Sequence, residues 1–282
     1  MIIRNLGGHS GCEILLCEDE NGKFVRKISS GLDYNDRLAQ QCKKQNNYKD
    51  DQIIAPKVLA SGYNSDELFY FDMEYIQGTT LANYIKTIPL FEIAGLINVL
   101  FESIIANVAN SKNDSKLFYD KINSLKETTY RLNSDLINYS LERSEKHSWD
   151  KIVLSNGHGD LTLENIIIKN NQLYFIDFLD SFYDFWIMDL GTMMQDLLIG
   201  WSYRAENIDT NAKIRVKIFR ELLVEKLQVY DDTLLLEIYY VLLLKLIRVF
   251  PYVEDKRTFK FLEKKSQMLL YIIRKLEGND HK

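Results

Sequence analysis

Cysteine is scarce, with three in 282 residues (Cys12, Cys17, Cys42), and three cannot all pair. No disulfide framework is visible, which points to a reducing compartment. No CxxC pair accompanies them, so structural zinc on His9 and these thiols is not expected. Long apolar runs are also missing. The greasiest stretch, Ile238 to Ile247, is broken by Lys245, and nothing approaches the ~20 apolar residues of a membrane span. The opening Met-Ile-Ile-Arg-Asn-Leu-Gly-Gly lacks the apolar core of a signal peptide. There is no basic excess: 35 Lys and Arg face 40 Asp and Glu, for a net charge of −5. A chain that grips phosphate backbones is usually basic on at least one domain, so nucleic acid is not an expected partner. The one basic stretch, Arg257 to Lys265, reads as the solvated face of a helix. With 46% hydrophobic and 27% charged residues, the composition is that of a globular protein. The expectation is a soluble, cytoplasmic chain; nothing in the sequence sets an oligomeric state.

Short β-type runs fill the first part of the chain. Residues 2–6, 12–17 and 23–29 alternate or are apolar, separated by Gly7-Gly8-His9-Ser10-Gly11 and by the turn Glu18 to Gly22. Residues 33–48 hold no Pro or Gly and suit a mostly exposed helix, with Asp33 or Asn35 as N-cap. Strands follow at 57–62 and 67–75. After Gly78 the period becomes helical, through 79–86, 90–110, 115–145, 185–200, 210–228, 231–250 and 258–276. One interruption stands out: Ile166 to Lys169 and Leu173 to Asp177 flank Asn170-Asn171-Gln172, the pattern of a β-hairpin. No repeat, low-complexity tract or long linker is present. The expected fold is α+β and bilobal, with a small β-rich N-terminal lobe (1–76) and a larger, mainly helical C-terminal lobe (77–282). Ligand sites commonly lie in clefts between lobes.

The most informative segment is His158-Gly-Asp-Leu-Thr-Leu-Glu-Asn165, followed by Ile176-Asp177-Phe178. It matches the kinase loop H-R-D-L-x-x-x-N and the later D-F-G except for Gly159 and Leu179. Phosphoryl transfer needs a carboxylate to orient and deprotonate a hydroxyl, and hard oxygen ligands for Mg²⁺. Asp160 suits the first task; Asn165 and Asp177 suit the second. Lys27, in Phe24-Val-Arg-Lys27 on the third expected strand, stands where the V-A-I-K lysine would contact phosphates. The glycine turn (Gly8, His9, Ser10, Gly11) offers backbone N–H groups to the same phosphates, although it is neither GxGxxG nor a P-loop. In Met73-Glu74-Tyr75-Ile76-Gln77-Gly78, backbone at Glu74 and Ile76 is available to an adenine edge, with Tyr75 between them.

Taken together, these residues resemble the aminoglycoside phosphotransferase and choline kinase superfamily, which shares the protein-kinase-like fold. The resemblance runs in order over residues 5–200, and its specific parts are His158 to Asn165 and Ile176 to Phe178. It implies an ATP-dependent or GTP-dependent kinase requiring Mg²⁺. It also implies that His158 and Asp189 shape the site, Asp189 as the structural acid after the metal Asp. Two departures are visible. Residues 31–50 contain no Glu to pair with Lys27; Gln41 falls closest to that position, with Asp33 and Asp36 as other candidates. Thr162 stands where many relatives carry His.

No proline lies between Pro89 and Pro251, so the A-P-E that closes a protein-kinase activation segment is absent, and the expected acceptor is a small molecule. Residues 156–200 hold seven acids against one base, Lys169. That surplus suits a cationic acceptor, an amino sugar or choline, unless it is a solvated rim. Asp180, Asp184, Trp186 and Trp201 are the acceptor-pocket candidates, the aromatics being able to stack on a sugar or cage an ammonium. The sequence therefore predicts transfer of a γ-phosphate to a sugar, amino sugar or amino alcohol, with surface-polysaccharide building blocks among the candidates. An aminoglycoside-resistance kinase, a pseudokinase scaffold and nucleotidyl transfer to protein remain the alternatives.

Overall fold

A computed structural model describes residues 1–7, 11–106, 114–150, 157–179 and 185–278. The chain divides into two compact units, residues 1–84 with 163–181 and residues 85–162 with 182–282.

The first unit is built on an antiparallel sheet of β1 (Ile2–Asn5), β2 (Glu13–Asp19), β3 (Gly22–Ile28), β5 (Val58–Tyr63) and β6 (Phe69–Glu74). Their order is β1-β2-β3-β6-β5. Period-2 alternation puts Val25 and Lys27 on the same buried face of β3. Against this face lies α1 (Asn35–Asn47), which buries Leu38, Gln41, Cys42 and Gln45, an i, i+3, i+4, i+7 stripe. Leu38 and Cys42 join Leu16, Val25, Phe71 and Met73 in one core. The helix expected to be mostly exposed thus buries a stripe, half of it polar.

Its N-cap differs from the expectation as well. Tyr34 holds the cap position and no side chain caps the helix. Asn35 is inside the helix, where its amide accepts Phe69 N–H and donates to the Glu67 carbonyl, both at 2.8 Å. Bonding to the neighbouring strand has won over capping.

A second sheet, in the order β4-β9-β8-β7, joins distant segments: β4 (Ile53–Ile54), β7 (Thr79–Thr80), β8 (Ile166–Lys169) and β9 (Gln172–Phe175). The hairpin between β8 and β9 turns at Asn170 and Asn171, both left-handed at φ 50° and 61°, as a two-residue type I′ loop requires. The short β7 and α2 (Leu81–Tyr84) replace the helix expected over 79–86. Gly78 explains the change. A Cβ there would sit 2.5 Å from both the Ile168 carbonyl oxygen and Ile167 Cγ2. The backbones can therefore approach, and the β-branched Thr79 and Thr80 pair with Ile168 and Ile167. Residues 77–84 and the hairpin thus fall in the same compact unit as the first sheet, whereas the sequence places the lobe boundary at residue 76.

The second unit is helical: α3 (Leu90–Ala106), α4 (Lys116–Thr129), α5 (Asp135–Lys146), α6 (Trp186–Met194), α7 (Thr210–Asp231), α8 (Leu234–Val249) and α9 (Lys256–Leu276). The single helix expected over 115–145 is two helices. Asn133 turns left-handed at φ 43°, and the Ser134 hydroxyl then accepts Ile137 N–H as the cap of α5. Buried on nearly every side, α8 is the central helix, with α4, α5, α6, α7 and α9 packed on it. Among the described residues no helix is long and apolar enough to cross a membrane.

Candidate active site

In the first unit, β3 delivers Lys27 into the interior, where the residue is only 2% exposed. A buried ammonium requires partners. Its Nζ donates to Asp177 Oδ1 at 2.5 Å and to Gln41 Oε1 at 3.1 Å. Gln41, the residue nearest the expected Glu position, thus bonds the lysine, and its own amide is oriented by the Tyr34 hydroxyl at 3.2 Å. Asp33 and Asp36 are exposed.

Asp177 lies 150 residues from Lys27 in the chain, and several contacts fix it there. Ile176 N–H donates to the Asn165 carbonyl at 2.9 Å, which brings Asn165 and Asp177 to one end of the hairpin. Phe178 is buried with its ring 5.1 Å from that of Tyr48. Lys44 on α1 donates to the Leu179 carbonyl at 2.9 Å. Between these anchors Asp177 is held left-handed at φ 60°, a backbone region in which Asp is one of the few non-glycine residues enriched. About a third of its side chain stays open to solvent.

Of the glycine turn, Gly11 is exposed and left-handed at φ 76°; Gly8, His9 and Ser10 lie outside the described residues. At the end of β6, Glu74 N–H donates to the Lys57 carbonyl at 2.9 Å. Tyr75 packs against the sheet core and Ile76 is buried. Residues 75–77 lie outside the strands.

In the second unit, Asp160 is half-buried on a loop held by α6. Asp189 of α6 accepts His158 N–H at 2.5 Å and Gly159 N–H at 2.9 Å. The buried His158 ring accepts Asp160 N–H through Nδ1 at 3.3 Å. Gly159 sits at φ 96°, a backbone state open to glycine and closed to the arginine that protein kinases carry. Trp186 faces inward, 3% exposed, between Phe185 and Tyr230. It belongs to the helical packing, not to a pocket wall. Trp201 is half-buried, with the Arg204 guanidinium 4.1 Å above its ring. Asp180 and Asp184 lie outside the described residues.

Mg²⁺ usually takes one or two protein oxygens and completes its shell with water and phosphate. The Asp177 carboxylate and the Asn165 side-chain oxygen, at one end of the hairpin, fit that donor set. Among the described residues no cluster of three His, Cys, Asp or Glu side chains could hold a metal by itself.

Three features escaped the sequence reading: the Tyr34–Gln41 relay, the Lys44 clamp and Lys245. Only the last left a signal, as the lone charge inside an apolar helical run. Burial lowers the affinity of Lys245 for its proton, while Asp160 and Asp189 act in the opposite sense.

No protein-family model and no curated protein sequence matches the chain. Solved structures do match. The aminoglycoside phosphotransferase APH(4)-Ia, as a thermostable mutant without ligand, has a TM-score of 0.63 at 13% identity, over 96% of this chain and 94% of its own. The GDP and kanamycin complex of APH(2″)-IIia gives 0.64 at 16% identity, over 99% and 95%. A protein assigned as a fructosamine-3-kinase from Haemophilus somnus 129PT gives 0.53 at 17% identity, over 96% and 92%. The sheet with its buried lysine, the hairpin with its left-handed aspartate and the helical unit with its braced loop are thus parts of the protein-kinase-like fold, as found in aminoglycoside phosphotransferases.

Proposed function

We propose that the chain is a phosphotransferase that moves the γ-phosphate of ATP or GTP to a hydroxyl of a small molecule, with Mg²⁺ as cofactor. The observation that carries this reading is the buried Lys27 bonded to a left-handed Asp177 150 residues away in the chain. A partly open acid held left-handed opposite a desolvated cation is an arrangement that packing alone does not need. Similar structures were solved with ADP and hygromycin B, with AMP-PNP and hygromycin B and with ATP and streptomycin, which supports a nucleotide donor and a hydroxyl-rich acceptor.

Lys27 neutralises phosphate oxygens, a role its low exposure strengthens because water screens it little. Asn165 and Asp177 would hold Mg²⁺, which supplies charge neutralisation to the phosphates when bound. Asp160 accepts a hydrogen bond from the acceptor hydroxyl. As the acceptor O–P bond forms and the bond from the γ-phosphorus to the bridging oxygen breaks, the hydroxyl proton passes to Asp160 and the nucleoside diphosphate leaves with the bridging oxygen. The backbone bonds to Asp189 keep the Asp160 loop in one conformation, so little reorganisation is needed at the moment of transfer.

A thermal-shift titration with MgATP and MgGTP tests the donor site. Saturation at about a hundred times Kd stabilises the fold by about 2.7 kcal/mol, a rise of several degrees at roughly 2–4 °C per kcal/mol. The shift should require the metal and vanish in Asp177→Ala. Asp160→Asn should retain the shift and lose transfer; full transfer by that variant would overturn the role of Asp160.

One observation favours a second reading. Gln41 brings no charge to Lys27, which suits a weak kinase or a nucleotide-binding scaffold. Asp160-dependent formation of a phosphorylated acceptor would exclude the scaffold, and a nucleotidyl mass on protein would redirect the assignment.

A further inference from the structure

Helices α7 and α9 both pack on α8, and between them the helical unit leaves a groove of about 480 Å³, within the roughly 300–1,000 Å³ of small-ligand sites. The sequence of α7 explains one wall. Its core-facing stripe is Val216, Phe219, Leu223 and Leu227, so the neighbouring row, Arg220 and Val224, is left to face the groove. Met268 and Ile272, one turn apart on α9, line it as well. Tyr239 of α8 and Leu198 complete the lining. Leu198 belongs to the π-helical turn Gln195–Ile199 that follows α6, a distortion found frequently at functional sites.

Two polar groups stand on this apolar trough without a hydrogen-bonding acceptor. Tyr239 is only 7% exposed, and among the described residues its hydroxyl makes no hydrogen bond, whereas a buried tyrosine usually finds a partner. Burial raises its pKa, and the charge of Arg220 acts against that rise. Arg220 has five N–H donors to satisfy, and its side chain is 26% exposed. The carboxylate paired with it, Glu221, stays 3.7 Å away, beyond hydrogen-bond length, and is shared with Lys217 at 3.6 Å. Lys265, one turn before Met268 on the same face of α9, adds to the positive charge that Arg220 meets. The acids on the rim do not reverse this sign. Glu221 and Glu225 are exposed, where water and salt screen them, while Arg220 is mostly covered and is screened less.

We infer that the groove is a binding site for an amphipathic anion, an apolar chain or ring bearing one carboxylate or phosphate. The head lies on Arg220 and Tyr239, and the body lies along Leu198, Val224, Met268 and Ile272. An anionic oxygen is the acceptor that both donors lack, and a guanidinium matches carboxylate and phosphate in a bidentate manner. The site shares no residue with the proposed phosphotransfer centre, and the inference does not depend on that reading.

Isothermal titration calorimetry of the full chain tests it with a matched series: decanoate, decyl phosphate, decanol and decylammonium, each below its micelle concentration. Decanoate or decyl phosphate should bind about tenfold or more tighter than decanol, as expected for a charge-assisted bond, and decylammonium should bind most weakly. Whichever anion binds tighter identifies the head group. Arg220→Gln should bring that anion down to the affinity of decanol, while Arg220→Lys keeps much of the preference. Tyr239→Phe should weaken the anion by about threefold to tenfold. Lys213→Gln, which removes an exposed cation of α7 outside the groove, should change nothing. Val224→Trp fills the groove and should abolish binding of every member; should that variant fold poorly, the Arg220 and Tyr239 variants decide. Equal affinity across the series, preference for decylammonium, or no binding at all overturns the inference. So does an anion preference that survives Arg220→Gln, which would seat the anion at another cation such as Lys27.

Discussion

Lys27 shows how one buried cation organises its surroundings. Taking an ammonium out of water costs several kcal/mol, and the structure answers with one carboxylate and one amide oxygen. Gln41→Leu removes the amide and leaves the Tyr34 hydroxyl without that partner. It should lower stability by about 1–3 kcal/mol, seen as a reduced urea midpoint, and raise KM for the nucleotide. An unchanged midpoint would mean that Asp177 alone satisfies Lys27. Another residue-scale test lies in the helical unit, where the Tyr240 hydroxyl donates to Glu277 at 2.6 Å and burial pushes its pKa upward. The unfolded chain loses this proton near pH 10, while the native state keeps it to higher pH. Above that point the native state binds more protons, so stability falls as pH rises. Tyr240→Phe should be less stable at neutral pH and show a shallower decline above about pH 10 in denaturation curves.

At the scale of elements, the hairpin of β8 and β9 is the part on which the second sheet and the proposed chemistry both depend. Its turn was legible because two adjacent Asn residues tolerate the left-handed pair that a two-residue loop demands. Its partners were not: β4 and β7 are two residues each, too short for any periodic pattern, and only tertiary pairing makes them strands. Gly78→Ala tests that pairing. The new Cβ would meet the Ile168 backbone, which cannot swing aside, so a loss of about 1–3 kcal/mol is expected from overpacking, read as a lower Tm. The N-cap of α1 escaped prediction for a related reason. Asn35 is a good capping residue, but a strand edge offered its amide both a donor and an acceptor.

At the scale of the whole molecule, the chain divides into two compact units, and the residues proposed for nucleotide and metal (Lys27, Gln41, Asn165, Asp177) all belong to the unit of residues 1–84 and 163–181. Ligand binding protects what it contacts. Hydrogen exchange on the full chain with Mg-AMP-PNP should therefore slow most in β2, β3 and the hairpin, with smaller changes in α7 and α9. Equal slowing in all helices of the second unit would contradict this assignment.

The sequence by itself determined the constellation proposed for catalysis, because His158 to Asn165 and Ile176 to Phe178 are local motifs whose spacing is written in the chain. It also determined the change from alternating to helical period, because burial of one face requires that pattern. Tertiary structure decided the rest. Whether Gln41 reaches Lys27, whether Trp186 faces a pocket or the interior, and where Lys245 comes to lie are matters of which helix packs on which sheet face or neighbouring helix. Such contacts join residues tens or hundreds of positions apart, and no local pattern encodes them.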